Sequence, residues 1–145
     1  MGGSNVTPKI VYKTSLAQVD WAKMKETLAA DNFDNGRAPE QLRISFQNSY
    51  AAVVAYDADR IVGTARALSD GVCNSYVVDV WTLSDYRNQG IGRTMMTMLE
   101  QQLEGQHIYL FSEDVPDFYR KLGFRDQPTG LSKVKGKWLE REPSS

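Results

Sequence analysis

The stretch that decides the fold is YVVDVWTLSDYRNQGIGRTMMTMLEQQLE, Tyr76 to Glu104. Through Leu83 it is mostly β-branched and aromatic, and reads as a strand from Asn74. A polar turn follows. From Gly90 to Leu103 the spacing predicts a helix, with Met95, Met98, Leu99 and Leu103 on one face as core packing. Gly105 supplies the stop. Gly90 and Gly92 therefore stand at the mouth of a helix directly after a strand. A helix start has free backbone N–H groups and a partial positive charge. Glycine adds conformational freedom and removes bulk. With Arg87 and Arg93 alongside, the turn Asn88, Gln89, Gly90, Ile91, Gly92, Arg93 suits a phosphate or pyrophosphate. A bare glycine pair suits a tight turn packed on the sheet equally well. The spacing excludes two familiar phosphate binders: no Gly-x-x-x-x-Gly-Lys-Ser/Thr exists, and Met95 stands where a dinucleotide fingerprint needs its third glycine.

Outward from this stretch, Lys9 to Lys13 reads as an edge strand. Leu16, Val19, Met24 and Leu28 give an apolar stripe around a helix from Asp20 to Ala30. Asp31 to Gly36 is turn chemistry. Pro39 opens a second helix through Asn48. Ala51 to Tyr56 and Ile61 to Leu68 form a hairpin around Asp57 to Arg60. On the other side, His107 to Phe111 is a strand and Val115 to Leu122 a short helix ended by Gly123. Phe124 to Leu139 reads as two strands around Asp126 to Gly130. Lys133, Lys135 and Lys137 alternate there with Val134, Gly136 and Trp138, as on an edge strand with one wet face. The order predicts an α/β or α+β domain with a mixed sheet.

A second motif follows the first at about thirty residues: Phe118-Tyr119-Arg120-Lys121-Leu122-Gly123-Phe124. Arg-x-x-Gly-x-Gly after a strand, then Phe-Tyr-x-x-Leu-Gly-Phe, resembles the GCN5-related N-acetyltransferases, the GNAT family. The likeness covers at least Ile61 to Phe124. Within the family, the stretch from Gly63 to Asp70 through Trp138 looks closest to the plant chloroplast serotonin and protein acetyltransferases. The resemblance implies a mostly antiparallel central sheet with two splayed parallel strands, here Ser75 to Leu83 and His107 to Phe111, flanked by helices. It implies acetyl-CoA as donor, with pantetheine along the backbone of Val80, Trp81 and Thr82 and pyrophosphate at Asn88 to Arg93. Backbone N–H at the strand would hold the thioester oxygen.

Tyr119 is the expected catalytic acid, since a phenol can protonate the CoA thiolate as it leaves; otherwise it packs beside Phe118 and Leu122. Some members place Glu before the Asp of this strand as base, but here the pair is Val78-Asp79. Asp79 is then either a base acting through water or a structural carboxylate paired with Arg66. Asp70 and Glu113 are weaker candidates. Ser112 stands where the family often has an Asn that contacts pantetheine.

The chain has 145 residues, 41% hydrophobic, 24% charged, net charge -1. That is one domain's worth, residues 1–145, with frayed ends expected at 1–8 and 141–145. Near-neutral charge does not fit a nucleic-acid partner, and no apolar run reaches a membrane span. The sole cysteine, Cys73, makes a reducing, cytoplasmic compartment the expectation. It has no basic partner in sequence, so direct transfer in a ternary complex is expected rather than an acetyl-cysteine intermediate. His107, the single histidine, has no ligand cluster around it, so no metal is expected. Trp81, Trp138 and Tyr76 suit an aromatic acceptor pocket or, more simply, the sheet core. The expected protein is an acetyl-CoA-dependent N-acetyltransferase acting on a primary amine. A small arylalkylamine comes first, and a protein lysine or N-terminal amine is the alternative. The rivals are a non-catalytic acyl-CoA-binding module and a structural interaction protein that forms a homodimer through its last strands.

Overall fold

The computed structural model describes residues 9–139. The expectation of frayed ends lies outside the described residues. The elements run β1 (Ile10–Lys13), α1 (Trp21–Ala30), α2 (Pro39–Gln47), β2 (Ala51–Asp57), β3 (Arg60–Ser69), β4 (Asn74–Thr82), α3 (Ile91–Gln101), β5 (His107–Tyr109) and α4 (Pro116–Lys121). The strands lie side by side in chain order. β1 to β4 pair antiparallel, and β5 joins β4 in parallel. This is the mixed sheet that the order of elements predicts, mostly antiparallel and flanked by helices as the family resemblance implies.

Each helix forms for a local reason. Asp20 caps α1 by accepting from the Lys23 N–H at 3.0 Å. Pro39 begins α2, where its missing N–H is not needed. α2 sits over the β3 face that carries Arg66, whose guanidinium lies 5.5 Å from the Phe46 ring centre. α3 covers the other face. A Cβ on Gly63 would lie 2.9 Å from Met95 Cε, so the helix beds directly on β3 at that glycine. Covered from both sides, β2 is buried along residues 51–55. Met95, Leu99 and Leu103 are buried as expected, and Met96 joins them in the core. α3 ends at Gln101, short of Leu103, with Gly105 (φ +81) in the turn beyond.

Two expectations fail. Neither strand forms between Phe124 and Leu139, where the described residues hold no regular structure. Alternation stabilises a strand only when one of its faces is buried. Here Leu131, Val134 and Trp138 are 89%, 50% and 49% exposed. Pro128, Gly130 and Gly136 interrupt the segment as well. The strand expected over His107 to Phe111 is also shorter, ending at Tyr109.

Candidate functional site

β4 and β5 are paired only through Asn74↔His107, Ser75↔Ile108 and Tyr76↔Tyr109. Beyond Tyr76, β4 runs on to Thr82 without β5 beside it. The two parallel strands therefore part, as expected. Where they part, β4 carries a bulge: the register with β3 shifts between Thr64 and Arg66, so that Ala65 faces both Asp79 and Val80. Asp79 has φ +54. The extra residue resets the alternation of the strand. Val78 opposes Arg66 and Trp81 opposes Thr64, which turns both toward the α1–α2 side. Trp81 is buried there, stacked on Phe33 with ring centres 6.4 Å apart, and its indole N–H donates to Asp31 at 2.8 Å. Of the three aromatics weighed as an acceptor pocket, only Trp81 is core. Tyr76 and Trp138 are exposed.

The turn after β4 contains two left-handed residues, Asn88 (φ +65) and Gly90 (φ +84). Gly90 caps α3 with no side-chain hydrogen bond, which leaves the first-turn N–H groups of Ile91, Gly92 and Arg93 facing outward for an anion. The glycines serve different ends. A Cβ on Gly90 would meet nothing within 4 Å, so Gly90 is present for its dihedral. A Cβ on Gly92 would lie 3.3 Å from Phe118 Cζ and 3.6 Å from Thr82 Oγ1. Phe118 belongs to the second motif, so what approaches the helix start is the neighbouring helix. Arg93 and Gln89 are exposed beside the turn. Arg87 is folded back: its Nε donates to the Thr82 carbonyl at 3.1 Å, and Nη2 lies 3.6 Å from Asp31. The residues present fit a diphosphate, with Arg87 held at the strand and Arg93 at the helix.

Tyr119 is 9% exposed, packed edge-on against Phe118 and Phe124. Burial pushes its phenol pKa up, so it stays protonated at neutral pH. Its hydroxyl makes no hydrogen bond to another described residue. It shares a cavity of about 680 Å³ with Ser112, between β5, α4 and residues 124–130. Neither β4 nor the 88–93 turn lines this space. The Ser112 hydroxyl accepts from the Val115 N–H at 3.2 Å at the start of α4.

Asp79 is where the geometry departs from a catalytic expectation. Arg37 Nη1 and Nη2 donate to its two carboxylate oxygens at 2.8 and 3.1 Å, and Arg66 Nε donates at 2.6 Å. Burial raises its pKa, but the hydrogen bonds and charge of Arg37, with those of Arg66, outweigh this and hold it below the ordinary value. A carboxylate so engaged has low proton affinity and no free oxygen facing an amine. The pairing with Arg66 is the structural alternative raised by the sequence. Arg37 sits in a stretch of turn formers, and no pattern in the sequence marks it as a buried arginine.

Asp70 is likewise occupied, accepting from the N–H groups of Val72, Cys73 and Asn74 at 2.8, 2.8 and 3.2 Å, which holds its pKa well below the ordinary value. Its carboxylate in turn raises the pKa of the Cys73 thiol, which makes that sulfur a poor nucleophile. His107 is exposed and hydrogen-bonded to the Tyr109 hydroxyl at 2.9 Å. Among the described residues no group of His, Cys, Asp and Glu could hold a metal, and no helix is long and apolar enough to cross a membrane.

The sequence profile of the acetyltransferase (GNAT) domain matches residues 48–126. The uncharacterised N-acetyltransferase ycf52 of Porphyra purpurea is 45% identical over 76 residues, 50% of this chain and 44% of that protein. The chloroplastic serotonin N-acetyltransferase 2 of Oryza sativa subsp. japonica is 32% identical over 127 residues, 82% of this chain and 63% of that protein. The chain thus spans about half the length of the curated relatives it matches. Among solved structures, a GNAT-family acetyltransferase of Streptococcus pneumoniae TIGR4 superposes with TM-score 0.73 at 25% identity, covering 89% of this chain and all (100%) of the other.

Proposed function

Because the chain belongs to the GNAT acetyltransferase family, we propose that it transfers an acetyl group from acetyl-CoA to a primary amine. The observation that carries this reading is the parting of β4 from β5 after Tyr76, directly upstream of an uncapped, left-handed turn at a helix start. Bound acetyl-CoA supplies an acetyl group activated as a thioester. The N–H groups at Gly90 to Arg93 bind its diphosphate, with Arg93 adding full charge. The Leu83 N–H points to β3, donating to Val62 O at 2.8 Å. Strand alternation then turns the backbone of Val80 and Thr82 toward the gap, where it orients pantetheine and the acyl oxygen. The Tyr119 hydroxyl holds the proton that the departing sulfur takes. Asp79 enters as the carboxylate that fixes the bulge; the ammonium proton of the acceptor leaves to water before attack, and the second nitrogen proton, lost as the amide forms, restores the Tyr119 hydroxyl through solvent. Transfer is direct, consistent with a Cys73 thiol held protonated.

A small arylalkylamine is the acceptor we favour. The likeness to the rice serotonin N-acetyltransferase supports it. So does the exposed pair Tyr76 and Phe111, rings edge-on at 5.9 Å, beside the point where the strands part. The engaged Asp79 favours one second reading, an acyl-CoA-binding domain without turnover. Thermal unfolding with and without acetyl-CoA, followed by free-thiol release over a panel of amines, tests all of this. A ligand at a hundredfold excess over its dissociation constant adds about 2.7 kcal/mol of stability. Stabilisation with thiol release on arylalkylamines is the expected result. Release only with lysine peptides or N-terminal amines would move the acceptor to proteins. Stabilisation without release would favour the binding domain, and no stabilisation would refute CoA binding altogether.

A further inference from the structure

Arg37 lies in the connection between α1 and α2, outside both motifs, yet is only 6% exposed. Each of its three side-chain nitrogens donates a hydrogen bond. Nη1 and Nη2 grip Asp79, and Nε donates to the Asp34 carbonyl at 3.0 Å. The Asp34 carboxylate is itself paired with Lys25. Asp79 is held from three directions, since Arg66 takes one carboxylate oxygen and the Thr64 hydroxyl donates to its carbonyl at 2.8 Å. Its φ of +54 is left-handed, a conformation disfavoured for an L-residue that persists only where the surroundings over-determine it. Two buried guanidiniums on one carboxylate are a poor device for stability alone, because desolvating the second cation is not repaid by a second anion. They are a good device for holding one backbone geometry.

What that geometry controls is the next residue. Val80 is the first of the bulge to turn its backbone toward the gap between β4 and β5. We propose that Arg37 is a positioning residue: by clamping Asp79 in the left-handed bulge, it fixes the Val80 N–H where an acyl oxygen is held. The proposal rests on the reading of the gap as the thioester site. It also makes the α1–α2 connection part of the machinery, because the same loop holds Trp81 and Ser84 through Asp31.

The test uses the intact chain, Arg37→Lys and Arg37→Met. CoA and acetyl-CoA affinities are measured by calorimetry, the carbonyl stretch of bound [1-13C]acetyl-CoA by infrared difference spectroscopy, and turnover on the best amine. Lysine keeps the charge but cannot grip both oxygens. In the wild type the bound carbonyl should absorb at lower frequency than in water. In Arg37→Lys that shift should be lost and kcat should fall about 10- to 100-fold. CoA affinity and the KM for acetyl-CoA should stay within about threefold, because the diphosphate turn is untouched. A folded Arg37→Lys with an unchanged carbonyl frequency would overturn the proposal. So would CoA affinity falling in step with kcat, or failure of both variants to fold, since each assigns Arg37 to the fold alone. If the wild type binds neither nucleotide, the reading of the gap fails first, and the clamp loses its object.

Discussion

At the scale of single residues, two groups named by the sequence have different surroundings and call for different tests. Tyr119 is buried and protonated, as an acid must be. Replacing it with Phe keeps the packing with Phe118 and Phe124 and removes only the hydroxyl. kcat should drop about 10²- to 10⁴-fold, while the CoA dissociation constant, read by calorimetry, stays nearly unchanged. Asp79 should behave as a structural ion. Asp79→Asn leaves Arg37 and Arg66 buried without their counter-charge, and loss of one member of a buried pair costs about 3–5 kcal/mol. Its folded pKa lies below the unfolded value of about 3.9. Its contribution is therefore complete above that value and lost as pH falls through the folded pKa. Urea denaturation at pH 7 and near pH 3 should show a wide gap between wild type and Asp79→Asn at the first and a narrower one at the second.

At the scale of elements, the turn into α3 shows what a motif conveys and what it conceals. Gly90 and Gly92 are equivalent in sequence, but one answers to a dihedral and the other to the closeness of Phe118. Gly90→Ala should cost about 1–2 kcal/mol, and Gly90→Asn less, because Asn tolerates the left-handed region. Thermal melts of the pair would check the order. The helices and strands through α4 were legible because periodicity, caps and turn residues agree there. The strands expected after Phe124 were not, because alternation records which face could be buried and says nothing about whether anything covers it. Arg37 was illegible for the converse reason. A loop residue 42 positions from its partner Asp79 leaves no local trace of being buried. The parted strands were legible only through the family resemblance, since the end of a ladder has no signature in composition.

At the scale of the whole molecule, the sheet is laid down in the order of the chain, and every neighbouring pair but one is antiparallel. The hairpins β2–β3 and β3–β4 close short loops and form quickly, whereas β1 must wait for α1 and α2 and the single parallel contact for α3 to cross over. That contact is three rungs long. The β2–β3–β4 meander with α3 against it should thus be the persistent unit, and β5, with the shortest ladder, the first strand to leave. Native-state hydrogen exchange should find amides of β2 and β3 opening only with global unfolding, and those of β5 exchanging through a smaller opening. The groove that the proposed reaction uses would then be the least durable joint in the molecule. A ligand lying in the gap between β4 and β5 would act there as a missing rung, slowing β5 exchange far more than that of the strands it never touches.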